Sequence, residues 1–401
     1  MSLNSTVSSE RVHISFFGLR NAGKSSLVNC VTGQSLSVVS DVKGTTTDPV
    51  KKSMELLPIG PVVIIDTPGF DDVGKLGQLR VQKTKDILSS TDIAVLVTDA
   101  GRALCEKENE LVDIFKSADT PYIIAYNKSD LINDRRDISE DNEIYVSALK
   151  NEGVSELKEL LGKIASTAKN EKYILKDLIE QGDNIVLVIP IDKAAPKGRL
   201  ILPQQMTIRE ILDCSANAIA CTVENLNRTL SDFKTTPKLV ITDSQAFGAV
   251  SEIVDKNIPL TSFSILFARY KGNLIQQVKG AAMLDKLKDG DKILISEGCT
   301  HHRQCNDIGT VKMPSWIKEH CKKDVKFEFT SGGEFPDNLS EYALVVHCGG
   351  CMLNEKSMKE RIGRCAKSGV PVVNYGVAIA HMNSILKRSI ELFPEALAVL
   401  E

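Results

Sequence analysis

The chain has 401 residues, too many for one small module and enough for two or three domains. Its composition, 42% hydrophobic and 25% charged with 49 basic against 52 acidic residues, is that of an ordinary soluble globular protein. A net charge of -3 without any basic block argues against an electrostatically driven nucleic-acid binder. The opening MSLNSTVSSERV lacks the apolar core of a signal peptide, and the longest apolar stretch, IVLVIPI at 185–191, is too short to cross a bilayer. A cytoplasmic location with no membrane and no nucleic-acid partner is the expectation.

In chain order, residues 8–170 alternate apolar runs (VHISFFG, VVIID, IAVLVTD, YIIAYN, IYVSA) with amphipathic helix-length stretches, the pattern of a doubly wound α/β domain. A charged segment over 171–185, ending in Gly182, reads as a linker. A second α/β stretch, 178–272, offers IVLVIPID and KLVITD as strands and 204–213 and 245–255 as helices. A third, 273–401, starts with a helical pattern over 273–287 and continues with the strands KILISEG, VKFEFTSG, YALVVHCGG and VPVVNYG.

The first stretch carries a nucleotide motif set. Gly18-Leu19-Arg20-Asn21-Ala22-Gly23-Lys24-Ser25 follows the strand VHISFF and leads into the helical run SSLVNCVTG, which includes Ser26, the context a phosphate-binding loop requires. Its glycines let backbone N–H groups wrap phosphates, Lys24 reaches the outer phosphates, and Ser25 ligates Mg²⁺. Thr45, Thr46 and Thr47 form a loop suited to a switch hydroxyl, with Thr47 the candidate. The run Asp66-Thr67-Pro68-Gly69 ends the strand VVIID, so that Asp66 holds the metal through water and the Gly69 N–H meets the terminal phosphate. Asn127-Lys128-Ser129-Asp130 ends YIIAY. A carboxylate there accepts the N1–H and exocyclic amine of guanine, whereas adenine offers a lone pair in place of the proton, so Asp130 selects GTP. Ser147-Ala148-Leu149 closes over the base. These ordered motifs resemble the translation-factor-like GTPases of the Era and TrmE type. Phe70 stands where Ras-like enzymes place a water-orienting glutamine, so intrinsic hydrolysis should be slow. Asn21 occupies the position that in TrmE-like relatives helps to bind K⁺; the alternative is a loop cap.

The last stretch concentrates soft ligands. Six of ten cysteines and five of six histidines lie between residues 299 and 381. Cys299-Thr300-His301 follows the strand KILISEG, and His347-Cys348-Gly349-Gly350-Cys351 follows YALVV, both at strand C-termini, where parallel sheets place ligand crevices. Three thiolates and two imidazoles suit zinc or an iron–sulfur centre. A redox dithiol accounts for the CGGC run but not for the group at 299–301. Cys30, Cys105, Cys214 and Cys221 read as packed thiols, and Cys305, Cys321 and Cys365 stand outside the paired motif.

A GTPase domain, a middle domain and a terminal C-x-H…H-C-x-x-C group together resemble the HydF family of [FeFe]-hydrogenase maturation GTPases over essentially the whole chain. The resemblance implies an α/β protein of three domains. They are an N-terminal P-loop GTPase with a doubly wound sheet (8–170), a middle α/β dimerisation domain (178–272) and a C-terminal α/β iron–sulfur cluster-binding domain (273–401). It further implies a homodimeric scaffold for a [4Fe–4S] cluster and a diiron precursor, the latter made by two radical-SAM maturation enzymes and delivered to apo-[FeFe]-hydrogenase. The family's cluster cysteines map onto Cys299, Cys348 and Cys351 and its motif histidines onto His301 and His347. The fourth iron ligand stays open among His301, His347, a carboxylate and solvent. The competing reading is a regulatory GTPase acting on RNA or the ribosome, with a structural zinc domain.

Overall fold

The computed structural model describes residues 8–34, 49–70, 75–134, 138, 140–167, 172–191, 200–298 and 307–400. The chain divides into two compact units, 1–171 and 172–401.

The first unit runs β1 (Val12–Gly18), α1 (Lys24–Thr32), β2 (Val50–Leu56), β3 (Gly60–Asp66), α2 (Lys75–Leu88), β4 (Ile93–Asp99), α3 (Glu106–Ser117), β5 (Tyr122–Asn127), β6 (Glu143–Tyr145) and α4 (Val154–Thr167). Its sheet has the order β2-β3-β1-β4-β5-β6, parallel throughout except that β2 runs antiparallel to β3. The inner strands are continuous apolar runs because helices cover both faces. One core gathers Ile14, Phe16, Leu27, Val95, Leu157 and Leu161; the other gathers Phe17, Leu88, Leu96, Leu111 and Phe115. Strand β2 lies outside the apolar runs that mark the other strands of this sheet. As an edge strand it has only one neighbour, so VKKSMEL leaves most of its side chains at least partly exposed and shows no apolar run. The parallel arrangement sets the C-terminal ends of β1, β3, β4 and β5 along one rim of the sheet, where ligand crevices form.

The second unit contains β7 (Asn184–Val188), α5 (Leu202–Asp213), β8 (Asn217–Cys221), α6 (Val223–Ser231), β9 (Leu239–Thr242), α7 (Phe247–Ile253), β10 (Leu260–Ser262), α8 (Phe263–Lys271) and α9 (Leu274–Ala281). These are followed by β11 (Lys292–Glu297), α10 (Met313–Cys321), β12 (Lys326–Ser331), β13 (Leu344–His347), α11 (Glu355–Lys367), β14 (Val372–Asn374) and α12 (Tyr375–Met382). Two all-parallel sheets result, β10-β9-β7-β8 and β12-β11-β13-β14. One apolar cluster runs through both, taking in Leu187, Ile241, Phe267, Val278, Ile293 and Val346. Strands β8 and β10 are short edge strands that escaped the sequence reading; β8 contributes two alanines where an apolar run was sought. The helix expected over 273–287 is α9 alone: the Asn273 side chain caps its N-terminus by accepting from the Gln276 N–H at 3.1 Å. Beyond α9 the chain turns, and Leu284 and Leu287 keep the helical spacing of buried residues without the helix. Among the described residues no helix is long and apolar enough to cross a membrane.

Candidate nucleotide site and candidate metal centre

On the first unit, β1 ends at Gly18 and the following loop enters α1 through Gly23, which adopts a left-handed conformation at φ 82°. A Cβ at Gly23 would lie 2.2 Å from Asn127 Nδ2, so the loop closes onto the end of β5 only because this residue has no side chain. Asn21 is also left-handed, at φ 60°. Ala22 is buried, and its carbonyl accepts from Asn127 Nδ2 at 2.9 Å. The other end of the Asn127 amide, Oδ1, accepts the Ala148 N–H at 3.0 Å. One buried amide therefore ties the phosphate loop to the 147–149 loop. Asp130 accepts from Ser147 Oγ at 2.6 Å, and Lys128, left-handed at φ 64°, donates to Asp99 Oδ2 at 2.8 Å. The Lys128 ammonium, chiefly through that hydrogen bond, holds the Asp99 carboxyl below its ordinary range against the opposing effect of burial.

At the end of β3, Asp66 collects two groups from the loop: Lys24 Nζ donates to Oδ1, and Ser25 Oγ donates to Oδ2 at 2.8 Å. A cation-binding hydroxyl, a carboxylate and an ammonium thus share one spot at the base of the loop, a donor set that fits Mg²⁺ beside phosphate oxygens. Ser26 sits in the first turn of α1. Gly69 lies in the loop after β3, where the next N–H, that of Phe70, donates to the Gly18 carbonyl at 3.3 Å. The phenyl group of Phe70 packs against the apolar cluster around Phe17 and Leu96, so it offers no polar atom to a nucleophilic water. Thr45, Thr46 and Thr47 lie outside the described residues.

On the second unit, β11 and β13 pair with Ser296 beside His347, which sets Gly298 next to Cys348. The Gly298 N–H points at Cys348 Sγ at 3.0 Å, and the Gly350 N–H reaches the same sulfur at 3.4 Å. Gly350 is left-handed at φ 61°, and a Cβ there would meet Met358 Sδ at 2.4 Å. Lys271, 2% exposed at the end of α8, donates to the Leu353 carbonyl at 3.1 Å and so pins the loop that carries Cys351. Burial pushes the Cys351 thiol up, and the Lys271 charge opposes that. Cys299, His301, His302 and Cys305 lie outside the described residues.

His347 is buried and engaged at both ring nitrogens. Nδ1–H donates to the Cys348 carbonyl at 2.7 Å, and Nε2 accepts from Arg361 Nη1 at 3.0 Å. Burial, with the Arg361 charge added, pushes its pKa down to about 4. The neutral ring bonded in this way braces the Cys348 backbone, and ligation through Nε2 would displace Arg361. Arg361 is 4% exposed and also donates to the Gly332 carbonyl at 2.7 Å. The sequence reading did not single out Arg361 or Lys271. For Arg361 the signal is a cation on the largely apolar stripe of α11, with Met358, Ile362 and Cys365 buried beside it. Cys365 is buried in an apolar cluster that raises its thiol to about 12, and Cys30 Sγ donates to the Ala148 carbonyl at 3.0 Å; both are packed thiols. Asp307 accepts from the Gly309 and Thr310 N–H groups at 3.1 and 3.0 Å, which makes it a cap.

Comparison with known proteins matches three segments of the chain. Residues 13–128 match the 50S ribosome-binding GTPase family, 174–272 the hydrogen maturase F dimerization domain and 275–392 the hydrogen maturase F tetramerization domain. Over 177 residues the chain is 31% identical to the tRNA modification GTPase MnmE of Clostridioides difficile, covering 42% of this chain and 36% of that protein. Over 131 residues it is 31% identical to GTPase Der of Kosmotoga olearia, covering 31% of this chain and 29% of that one. The chain thus spans well under half the length of these curated relatives. A crystal structure of Era from Aquifex aeolicus bound to GDP and AlF4⁻ is similar at 20% identity and a TM-score of 0.35, over 52% of this chain and 92% of that one. A GTPase domain leads into both hydrogen maturase F domains, which together span more than half of the chain, and the chain belongs to the hydrogen maturase F (HydF) family.

Proposed function

We propose that the protein is a GTP-hydrolysing scaffold and carrier that binds a [4Fe–4S] cluster through Cys299, Cys348 and Cys351. In this reading it receives a diiron precursor from two radical-SAM maturation enzymes and delivers it to apo-[FeFe]-hydrogenase. The observation that carries the reading is the 3.0 Å contact from the Gly298 N–H to Cys348 Sγ. It brings the residue immediately before Cys299 against the second cysteine group, and N–H donors aimed at a sulfur favour its thiolate, the form that binds iron. The cluster would supply an iron corner not closed by cysteine, open to His301, a carboxylate, solvent or, once Arg361 has moved, His347. The family's dimerization and tetramerization domains support an assembly in which homodimers are the working unit.

In the nucleotide site, Lys24 is assigned to the outer phosphates of GTP. Ser25 and Asp66 hold Mg²⁺, Thr47 supplies the switch hydroxyl, and the Gly69 N–H meets the terminal phosphate. Gly18, Asn21, Ala22, Gly23 and Ser26 shape the phosphate cradle. Asn127, Lys128 and Asp130 read guanine, with Ser147 and Ala148 over the base. Asn21 is assigned to a K⁺ ion beside the phosphates, so turnover should be faster in potassium than in sodium. Phe70 leaves water positioning to other groups, which fits slow turnover used as a timer for partner exchange.

The test is anaerobic activation of apo-[FeFe]-hydrogenase by full-length protein co-produced with both radical-SAM enzymes. Wild type should restore hydrogen evolution, and Cys348→Ser should fail while hydrolysing GTP at the wild-type rate. Equal activation by Cys348→Ser would overturn the proposal.

A further inference from the structure

We propose a second metal site, distinct from the cysteine group, at Asp285, His320 and His381, which takes a divalent first-row transition-metal ion such as Zn²⁺. The three residues come from different elements: Asp285 from the turns between α9 and β11, His320 from the last turn of α10, and His381 from the last turn of α12. Both imidazoles offer the same nitrogen to one carboxylate. His320 Nε2 lies 2.7 Å from Asp285 Oδ1 and His381 Nε2 lies 2.9 Å from Asp285 Oδ2. All three ligand atoms fall within 4.8 Å of one another. The two rings stand at 63° with centroids 5.7 Å apart, so they converge on the carboxylate rather than stack.

Ligands in a tetrahedral zinc site, at bonds of about 2.0–2.2 Å, stand roughly 3.3 Å from one another. The two nitrogen–oxygen contacts need open by only about half an ångström for an ion to sit among them. An ion there replaces the two protons now shared between imidazoles and carboxylate and bonds to all three side chains. The histidine side chains are mostly buried, at 24% and 18% exposed, and are therefore held in place, whereas Asp285 is 54% exposed. That leaves a coordination position facing water. Two imidazoles and one carboxylate suit borderline ions such as Zn²⁺, Co²⁺, Ni²⁺ and Fe²⁺; they disfavour Mg²⁺, which seeks oxygen, and Cu⁺, which seeks sulfur. The bound ion ties the ends of α10 and α12 to the chain leading into β11, the strand that carries the Gly298 end of the cysteine group. This site and the cysteine site differ in ligand chemistry, so either can stand without the other.

The test uses tag-free full-length protein in which Cys299, Cys348 and Cys351 are all replaced by serine, so that thiolate binding does not contribute. Co²⁺ is the reporter. One Co²⁺ per chain should bind with visible ligand-field bands and without a sulfur-to-metal charge-transfer band. Asp285→Asn and His381→Gln should each weaken binding by more than the roughly 10–100-fold that loss of an outer-shell partner costs. Zn²⁺ should raise the melting temperature of the parent and leave Asp285→Asn unmoved. Asp285→Asn keeps the side-chain shape at a half-exposed position, so its far-UV circular dichroism should match the parent; if His381→Gln unfolds, this variant decides. Absence of stoichiometric Co²⁺ binding, or binding unchanged in Asp285→Asn, would show a hydrogen-bonded cluster only and overturn the proposal.

Discussion

Asn127→Ala is the sharpest perturbation of the nucleotide site, because one side chain joins its two halves. The amide is 2% exposed and satisfies the Ala22 carbonyl at 2.9 Å and the Ala148 N–H at 3.0 Å. Alanine removes both partners, and a buried backbone group left unpaired costs about 1–3 kcal/mol. Ala148 is only partly buried, so water compensates some of its loss. The expected destabilisation is about 2–4 kcal/mol, a large share of the roughly 5–15 kcal/mol that holds a domain folded. If the two loops separate, nucleotide must bring them back together, and the same free energy weakens binding by roughly 30- to 1,000-fold. Titration with a fluorescent GDP analogue and urea unfolding followed by far-UV circular dichroism measure both. Gly23→Ala should reproduce the loss from the other side, since its Cβ would stand 2.2 Å from the Asn127 amide nitrogen. An Asn127→Ala protein within about 0.5 kcal/mol of wild type and within threefold in affinity would refute the reasoning; both bounds lie far below the effects expected.

Two further outcomes follow from buried geometry. Glu108, fully buried near the start of α3, accepts from Thr98 Oγ1 at 2.7 Å, Arg102 Nη2 at 2.8 Å and the Cys105 N–H at 2.9 Å. Burial alone would raise its carboxyl, but those donors, Arg102 foremost, hold it below its ordinary value of 4.5. Because the folded pKa is the lower one, its stabilisation is complete above pH 4.5 and drains away as pH falls through the folded value. Thermal unfolding between about pH 3 and pH 6 should therefore show a steeper acid loss for wild type than for Glu108→Gln, and parallel profiles would contradict this. In the cysteine loop, Gly350→Ala meets both a left-handed φ of 61° and Met358 Sδ at 2.4 Å, whereas Gly349→Ala meets nothing within 4 Å. The first should cost about 1–3 kcal/mol and lower iron uptake, the second close to nothing, and equal effects would count against the loop geometry.

Legibility in the sequence follows the range of the interactions. The phosphate loop could be read because its chemistry is contiguous, from Gly18 to Ser26, and the inner strands because parallel strands covered on both faces must be apolar throughout. Edge strands obey no such demand. VKKSMEL and NAIAC therefore passed unread although they complete the sheets. The bond from Asn127 to Ala22 spans 105 residues, and no local pattern announces it. Arg361 and Lys271 are hard to read because a cation in a helix normally marks the solvated face, and the fold turns Arg361 inward onto the His347 ring and Lys271 onto the Leu353 carbonyl. Periodicity likewise reports elements, not shared cores: the strand patterns of 178–272 and 273–401 look self-sufficient, yet Leu187, Val278 and Ile293 belong to one cluster.

The central claim, a [4Fe–4S] cluster held by Cys299, Cys348 and Cys351, is tested most directly by anaerobic reconstitution of the full chain with iron and sulfide. Iron, sulfide and zinc are then counted, and the EPR spectrum of the reduced protein is recorded for wild type and Cys348→Ser. The account predicts about four irons per wild-type chain with broad brown thiolate-to-iron absorption and a reduced-cluster signal, all sharply diminished in Cys348→Ser. A colourless wild-type protein that retains zinc, or an iron content unchanged in Cys348→Ser, would contradict it.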